Sequence, residues 1–264
     1  MSKIIVSDLD GTLLRTDKTV SSETINALLE FKNENNKILF ATARPPRDAY
    51  KYVPEVLRNN PIICYNGACI IDNDKNLLYK KEINREKALN VLNIAKQYGY
   101  QNICFEINDA LFSTFDTYDF FGDCKNQLVD LENMEFDSAY KIIICNKTPI
   151  SEEFLSNISD ICKGVITDNG TLCQIMDKGV SKWNSIEALL KNENIKKEDV
   201  IAFGDDYNDY EMIKNAGIGV AMANAEENIK QIADYITDSN MDEGISRFIK
   251  KHLIKKIDLY ENER

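Results

Sequence analysis

Short apolar runs alternate along the chain with segments whose apolar residues recur every three or four positions. The first run, KIIVSDLDGTLL, ends in acidic residues and a Gly-Thr pair, which is typical of a buried parallel strand that opens into a loop. The segment SSETINALLEFKNENN follows, and Ser21 or Ser22 can cap a helix there. Two further strands, KILFATARP and PIICYNGA, flank a predicted helix from Arg47 to Leu57. Strands that alternate with helices imply a parallel sheet covered on both faces.

The middle of the chain has a different pattern. Residues 68–82 predict a hairpin with its turn at residues 72–76. Two predicted helices, Glu86–Tyr98 and Ser151–Cys162, then lie among several strand-like runs. These runs cover residues 103–107, 110–114, 140–145, 164–167 and 172–176. Many strands with two helices favour an antiparallel sheet that carries its helices on one face.

The strand–helix alternation returns toward the C-terminus. The predicted elements there are a helix at 181–192, a strand at 199–206, a helix at 209–215, a strand at 217–222, a helix at 226–232, a strand at 234–237 and a closing helix from Asp242 to Lys256. We therefore expect a doubly wound, Rossmann-like parallel-sheet α/β core made of residues 1–81 and 178–264. An α+β module of residues 82–177 is expected to interrupt this core.

Composition and charge restrict the classes of function. The 264 residues include 32 Lys and Arg against 43 Asp and Glu, which gives a formal net charge of −11. A chain this acidic is a poor candidate for binding nucleic acid or an anionic membrane through bulk charge, and we expect neither partner. The one histidine, His252, excludes chemistry that relies on histidine triads or clusters.

Cysteine usage and the N-terminus bear on the compartment. The seven cysteines are odd in number and lack CxxC spacing, so we expect buried free thiols in a reducing compartment. The start MSKIIVSDLD is not typical of a signal peptide, and no apolar run approaches the length of a membrane span. These features predict a cytoplasmic protein.

Three predicted strands end in polar groups that can carry chemistry. The groups are DLDGT at residues 8–12, Thr-Ala-Arg at residues 42–44 and GDDYND at residues 204–209. Ligands bind at the carboxyl ends of strands in open parallel sheets. If Asp8, Asp10 and Asp205 converge there, their charges require a cation, and oxygen ligands suit Mg²⁺. Lys182 beside such carboxylates favours phosphoryl transfer through an aspartyl-phosphate.

In this order, the motifs DLDGT, Thr42, GVSKWNSI and GDDYNDYEMI resemble those of the haloacid dehalogenase superfamily. More narrowly, the chain resembles the Cof-type phosphatases, which insert a type 2 (C2B-like) cap between the second and third motifs. The similarity covers the whole chain. It implies a core of residues 1–81 and 178–264 and a substrate-specificity cap of residues 82–177.

The resemblance also implies roles at matched positions. Asp8 would be the nucleophile, and Asp10 would protonate the leaving alcohol and later activate water. Mg²⁺ would be held by Asp8, by the backbone carbonyl of Asp10 and by Asp205. The implied phosphate-binding residues are Leu9, Thr42, Ala43, Lys182 and Asn208. Asp209 would orient Lys182 or metal-bound water, and Asp206 and Gly11 would support the site.

Several positions leave alternatives open. Ala43 and Trp183 replace the glycines common in the family, and Trp183 either narrows the phosphate approach or packs. Lys182 is the expected motif lysine, with Lys178 as the alternative. Arg44 either contacts substrate or neutralises aspartates. The aromatic run FSTFDTYDFFGD at residues 112–123 either packs in a core or lines the substrate pocket.

The function predicted from the resemblance is Mg²⁺-dependent hydrolysis of small phosphorylated metabolites, with sugar phosphates as the leading class. One alternative is a phosphosugar mutase that uses the same intermediate. Another is a regulator that binds a metabolite without catalysis. We expect a monomer or a weak homo-oligomer.

Overall fold

A computed structural model describes residues 2–254 and contains sixteen strands and nine α-helices within that range. The strands are β1 (Ile4–Asp8), β2 (Lys37–Ala41), β3 (Ile62–Cys64), β4 (Cys69–Ile71), β5 (Leu77–Lys80), β6 (Ile83–Asn84), β7 (Asn102–Ile107), β8 (Ala110–Ser113), β9 (Asn126–Leu128), β10 (Ser138–Ala139), β11 (Lys141–Cys145), β12 (Lys163–Thr167), β13 (Leu172–Met176), β14 (Val200–Gly204), β15 (Ile218–Ala221) and β16 (Tyr235–Ile236). The helices are α1 (Ser22–Asn33), α2 (Pro46–Tyr52), α3 (Arg85–Gln97), α4 (Tyr118–Phe121), α5 (Glu152–Ile158), α6 (Lys182–Glu193), α7 (Tyr210–Asn215), α8 (Glu227–Ile232) and α9 (Gly244–His252).

The core is built on an eight-stranded sheet with the strand order β16-β15-β14-β1-β2-β3-β4-β5. The strands from β16 to β3 are parallel, and β3, β4 and β5 pair antiparallel. Every residue of the central strands β1 and β14 is buried, as expected for strands covered on both faces. The predicted doubly wound α/β core is confirmed, with the predicted hairpin extending one edge into a mixed sheet.

The segment between the two halves of the core forms a second sheet of six strands, ordered β12-β13-β11-β7-β8-β9. All neighbours in it are antiparallel except β8 and β9. Apolar side chains of α3 and α5 pack with Phe105, Ile142 and Ile144 on one face. The antiparallel sheet with helices on one face is therefore confirmed, and residues 82–177 stay as our proposed bounds of the cap.

Some helix bounds differ from those predicted. The expected helix from Arg47 to Leu57 is divided into α2 and a short 3-10 turn at Glu55–Leu57. The division occurs because Val53 precedes Pro54 and takes an extended conformation, which disfavours helix. The predicted helix Ser151–Cys162 ends earlier, at Ile158.

The closing helix begins at Gly244 instead of the predicted Asp242, and it ends at His252. The last part of this prediction, residues 255–256, lies outside the described residues. The short elements α4 and β9 were not predicted, because they contain few apolar residues with a recognisable period.

All seven cysteines are free thiols, and six of them are buried. Over the part of the chain that the structure describes, no helix is both long and apolar enough to cross a membrane.

Candidate active site

Three carboxylates meet at the carboxyl edge of the core sheet. Asp8 ends β1, Asp205 directly follows β14, and Asp209 lies in the turn after it. Each offers a carboxylate oxygen, and these three oxygens lie within 4.8 Å of one another. The site forms here because β1 and β14 are parallel neighbours, so that their carboxyl ends lie side by side.

Lys182 is the cation of this cluster. Ser181 caps the N-terminus of α6 and accepts a hydrogen bond from the backbone N–H of Asn184, which places Lys182 at the first position of the helix. The Lys182 side chain is fully buried, and its Nζ donates to Asp8 Oδ1 at 2.6 Å and to Asp209 Oδ1 at 2.7 Å. Lys178, in contrast, is half-exposed and 3.9 Å from Asp160. The structure therefore places Lys182, and not Lys178, at the carboxylates.

The charges of the cluster are unbalanced. Burial raises the pKa of Asp8, and attraction to Lys182 offsets this only in part because the carboxylates of Asp209 and Asp205 raise it further. Burial raises the pKa of Asp205 to about 7. Burial alone would lower the pKa of Lys182, but Asp209 and Asp8 hold it above its ordinary value. Three carboxylates with one ammonium make a donor set of oxygens that fits a hard divalent cation such as Mg²⁺.

The loop after β1 packs tightly over Asp205. Gly11 has a φ of +81°, and a Cβ at this position would lie 2.1 Å from Asp205 Oδ2. The hydroxyl of Thr12 donates to Asp205 Oδ1 at 2.7 Å. Only glycine fits the close approach and the left-handed backbone together. The expected role of Gly11 in supporting the site thus has a steric basis, which is the close packing of this loop on Asp205.

Asp209 is fixed by the backbone around it. Its Oδ2 accepts from the backbone N–H groups of Asp205 at 3.0 Å and Asp206 at 3.3 Å, and Asp206 completes a capping box with it. A Cβ on Gly204 would lie 2.6 Å from the Asp209 side chain, so the strand end must be glycine for Asp209 to fit. With Oδ2 held in this way, Oδ1 is free to accept from Lys182.

Thr42 and Asn208 border the cluster. Thr42 is 1% exposed, and its hydroxyl accepts from the backbone N–H of Arg44 at 3.2 Å. Asn208 Oδ1 lies 3.5 Å from Lys182 Nζ, and its Nδ2 donates to Asn66 Oδ1 at 3.1 Å. Asn66 was not among the predicted site residues. Its signal in the sequence is the Asn-Gly pair after β3, since Asn66 itself has a φ of +58°.

The carboxylate of Asp10 lies apart from the three-carboxylate cluster. Arg44 donates to both of its oxygens, at 2.6 and 2.7 Å, and Lys18 Nζ donates at 2.7 Å. Burial would raise the pKa of Asp10, but these hydrogen bonds lower it below its ordinary value. The convergence of Asp8, Asp10 and Asp205 considered from the sequence is not observed for the side chain of Asp10, because β1 ends at Asp8 and the chain turns after it. Of the two roles considered for Arg44, the structure shows the ion pair with Asp10.

The remaining predicted positions occupy different environments. Leu9 is fully buried, and its carbonyl accepts from the backbone N–H of Leu14 at 2.8 Å. The carbonyl of Ala43 accepts from Lys141 Nζ at 3.3 Å. Trp183 is 5% exposed and belongs to the main hydrophobic core, which favours the packing alternative.

The phenylalanines of the aromatic run at residues 112–123 pack against the cap sheet or its helices, whereas Tyr118 is exposed. Phe115, Phe120 and Phe121 surround a small apolar cluster on the face opposite the α3 and α5 helices. Phe115 and Phe120 meet edge to face with ring centres 5.7 Å apart. These side chains therefore have a packing role at the open face of the cap.

An ion pair joins the cap sheet to the core. Arg47 of α2 donates to both carboxylate oxygens of Glu106 in β7, at 2.8 and 2.9 Å. Its backbone N–H donates to Asp109 Oδ1 at 2.9 Å. Glu106 is 3% exposed. Sequence reasoning did not find this contact, because no motif links residues so far apart in the chain.

Comparison with known proteins agrees with this geometry. A family model described as haloacid dehalogenase-like hydrolase matches residues 5–249. The 5-amino-6-(5-phospho-D-ribitylamino)uracil phosphatase YitU of Bacillus subtilis is 30% identical over 261 residues, which cover 94% of this chain and 97% of the relative. The pyridoxal phosphate phosphatase YbhA of Escherichia coli is 25% identical over 271 residues, covering 96% and 94%.

A solved structure extends the comparison to the fold. The HAD subclass IIB sugar phosphatase BT4131 superposes with a TM-score of 0.78 at 26% identity. The match covers 95% of this chain and 98% of that chain. Core and cap sheets are therefore both included in the similarity.

Proposed function

Because this chain belongs to the haloacid dehalogenase-like hydrolases and is a phosphatase, we propose that it hydrolyses small phosphomonoesters through a phosphorylated Asp8 with the help of Mg²⁺. The observation that carries the proposal is the environment of Asp8. Its carboxylate is 2.6 Å from Lys182 Nζ, and its oxygen lies within 4.8 Å of oxygens of Asp205 and Asp209. A carboxylate that is held by a buried lysine beside a cation site is suited to attack phosphorus.

The chemistry takes place in two steps. An oxygen of Asp8 forms a bond to phosphorus while the bond from phosphorus to the alcohol oxygen breaks, and Asp10 gives that oxygen its proton. Asp10 then takes a proton from water, which attacks phosphorus and releases Asp8 and inorganic phosphate. Since Arg44 and Lys18 lower the pKa of Asp10, its ion pairs with them must open in the substrate complex before it can hold this proton.

The metal site uses oxygen ligands only. We propose that Asp8, Asp205 and the backbone carbonyl of Asp10 hold Mg²⁺, while Asp209 orients Lys182. When bound, the ion offsets carboxylate charge and polarises a phosphoryl oxygen. The pKa of Asp205 is raised to about 7 mainly by burial, with repulsion by Asp209 adding to it, and a cation at this place would stabilise the ionised carboxylate.

The phosphoryl group would be held at the ends of β1 and β2. We assign this role to the hydroxyl of Thr42, the ammonium of Lys182, the amide of Asn208 and the backbone at Leu9 and Ala43. Asn208 is positioned by Asn66, and Thr42 is buried beside Arg44. Asp206 and Gly11 support the two loops that carry these groups.

The substrate is proposed to be a small phosphorylated compound, with sugar phosphates as the leading class. The relatives are named for a phosphoribityl-aminouracil compound, for pyridoxal phosphate and for sugar phosphates. A phosphomonoester on a small oxygenated or aromatic leaving group is common to all three.

Release of inorganic phosphate from a panel of such esters tests the proposal. Asp8→Asn removes the nucleophile but keeps the side-chain size, so we expect kcat to fall at least about a thousandfold. Asp160→Asn, at a fully exposed cap position, is the matched control and should be unchanged. Wild-type protein treated with a chelator should lose activity and regain it with Mg²⁺. A variant Asp8→Asn that keeps activity within tenfold of wild type would overturn the assignment.

A further inference from the structure

Lys141 is a buried cation of the cap sheet. It begins β11, is 6% exposed, and lies on the face opposite the helices, because its neighbour Ile142 packs with α3 and α5. Burial lowers the pKa of Lys141. An ammonium is rarely buried unless it is paired, so its partners are informative.

Both hydrogen-bond partners of Lys141 are neutral. Its Nζ donates to the backbone carbonyl of Ala43 at 3.3 Å and to Gln174 Oε1 at 3.2 Å. Within residues 2–254, no carboxylate lies within 4 Å of this nitrogen. A lysine ammonium has three donors; two make these long bonds, and the ammonium also lies over the ring of Tyr65, 5.7 Å from its centre, so it has no charged or short-range acceptor.

The nearest carboxylate is occupied elsewhere. Glu106 is directly opposite Lys141 in the pairing of β7 with β11, so the two side chains share one face of the sheet. Both oxygens of Glu106 nevertheless accept from Arg47, at 2.8 and 2.9 Å. The Arg47 pair therefore leaves Lys141 without a charged acceptor of its own.

Lys141 reaches the core close to the reaction centre. Ala41 pairs with Asp8 in the core sheet, and Ala43 follows two residues later in the loop that begins with Thr42. Adjacent strands are about 4.8 Å apart and consecutive Cα atoms about 3.8 Å apart, so Ala43 lies on the order of 10 Å from Asp8. A phosphoryl group on Asp8 with a small alcohol attached spans about this distance.

We propose that Lys141 and Gln174 form a leaving-group subsite of the cap, in which Lys141 donates a hydrogen bond to an oxygen of the substrate's alcohol. The inference rests on the proposed function and adds the residues that would select the leaving group. Phosphomonoesters with hydroxyl or carbonyl oxygens on the leaving group are preferred over those with a purely hydrocarbon leaving group. Gln174 holds the ammonium in place and supplies its own amide to the same group.

Two substrates measure this preference. Glucose 6-phosphate has several oxygens beyond the ester, whereas phenyl phosphate has none. Lys141→Met keeps most of the length of the side chain and removes the donor, and an apolar side chain avoids the cost of burying an ammonium. We expect the ratio of kcat/KM for glucose 6-phosphate to that for phenyl phosphate to fall about tenfold to a hundredfold.

Controls separate this proposal from a loss of fold or function. Lys163→Met makes the same change at an exposed position of β12 and should keep the wild-type ratio. Gln174→Glu places a carboxylate at Lys141 and should lower the ratio as well, so it tests the subsite even if Lys141→Met does not fold. An unchanged ratio in the folded variants, or a wild type without preference for the sugar ester, overturns the subsite. A wild type that releases no phosphate from either ester contradicts the proposed function instead.

Discussion

At the scale of single residues, the site depends on charge that is held away from water. The ammonium of Lys182 is fully buried between Asp8 and Asp209, and Asp205 adds a third carboxylate that it does not neutralise. Such an arrangement is costly for a structural role alone, because unpaired buried charge destabilises the folded state. Its chemical use is to bind a cation and a phosphoryl group at the same place.

Substitution of Gly11 has two effects that can be measured separately: steric overlap with Asp205 and strain from the left-handed backbone. Gly11→Ala places a Cβ 2.1 Å from Asp205 Oδ2, so Asp205 must move and activity should fall at least tenfold. Gly99→Ala is the matched control, since Gly99 also has a φ of +81° but has open space around it. Both variants should lose about 1 kcal/mol of unfolding free energy to the left-handed backbone, and Gly11→Ala should lose more because Asp205 must move. Steady-state kinetics and urea unfolding provide the two measurements, and equal activity of the two variants contradicts the packing argument.

Residue types and spacing predicted only part of the carboxylate cluster at the sheet edge and did not predict its pairing. The strand ends in the DLDGT and GDDYND motifs led to the expectation that Asp8, Asp10 and Asp205 converge, whereas the structure brings Asp209 to Asp8 and Asp205. Neutralisation of aspartates was one of the two roles left open for Arg44, but its pairing with Asp10 and the added contact from Lys18 depend on where β1 ends and how the following loop folds. Lys141 lies in no recognisable sequence motif, so its contact with the core could not be predicted.

At the scale of secondary-structure elements, polar groups at helix and strand ends hold the core together. The N-termini of α1 and α9 meet at Glu243, whose carboxylate accepts hydrogen bonds from Arg15, Ser21 and Thr24, the last at 2.8 Å. Burial would raise the pKa of Glu243, but these hydrogen bonds lower it below the ordinary value of 4.5. The two helices are thereby linked through one ionised group.

This link predicts a pH dependence of stability. A carboxyl whose pKa is lowered by folding stabilises the native state above its unfolded pKa, and loses this contribution as the pH falls through the folded pKa. Glu243→Gln should therefore be less stable than wild type at pH 7, and the difference should vanish in acid below the folded pKa. Urea unfolding at the two pH values measures it, with exposed Glu55→Gln as the control. A difference that stays constant with pH would rule out the ionised carboxylate as the cause.

The elements with a clear period were predicted well, and the short ones were not. β1, β2, β14 and β15 are continuous apolar runs, so their positions follow directly from the sequence. Pro54 indicated a break between α2 and the turn at Glu55–Leu57. The apolar spacing on both sides of it favoured one continuous helix, and the prediction followed that spacing. β9 pairs with β8 through its backbone, and its polar sequence gives no signal.

At the scale of the whole molecule, two sheets with separate hydrophobic clusters meet above the site. The main core includes β1, β2 and β14, and the cap has its own cluster between its sheet and α3 and α5. The switch of pattern in the middle of the sequence predicted this division. The contact between the sheets, through Arg47 and Glu106, joins residues 59 positions apart and could not be predicted from local pattern.

Loss of this contact should destabilise the protein measurably. Glu106→Gln removes the charge of a buried carboxylate that binds Arg47 through both oxygens, and we expect a loss of about 2 kcal/mol in unfolding free energy. Glu132→Gln breaks an exposed pair with Lys96 and should cost less than about 0.5 kcal/mol. Urea unfolding followed by circular dichroism compares the two. Equal effects would show that the Arg47–Glu106 pair does not stabilise the folded protein.

The central claim is that Asp8 becomes covalently bonded to phosphorus, and a crystal structure grown with Mg²⁺ and beryllium fluoride tests it most directly. Beryllium fluoride mimics a phosphoryl group on a carboxylate. The account predicts an adduct bonded to a carboxylate oxygen of Asp8, with Lys182 and Thr42 beside its fluorides. An adduct on Asp10 or Asp205, or an Asp8 carboxylate that stays unmodified beside a bound metal, would contradict it.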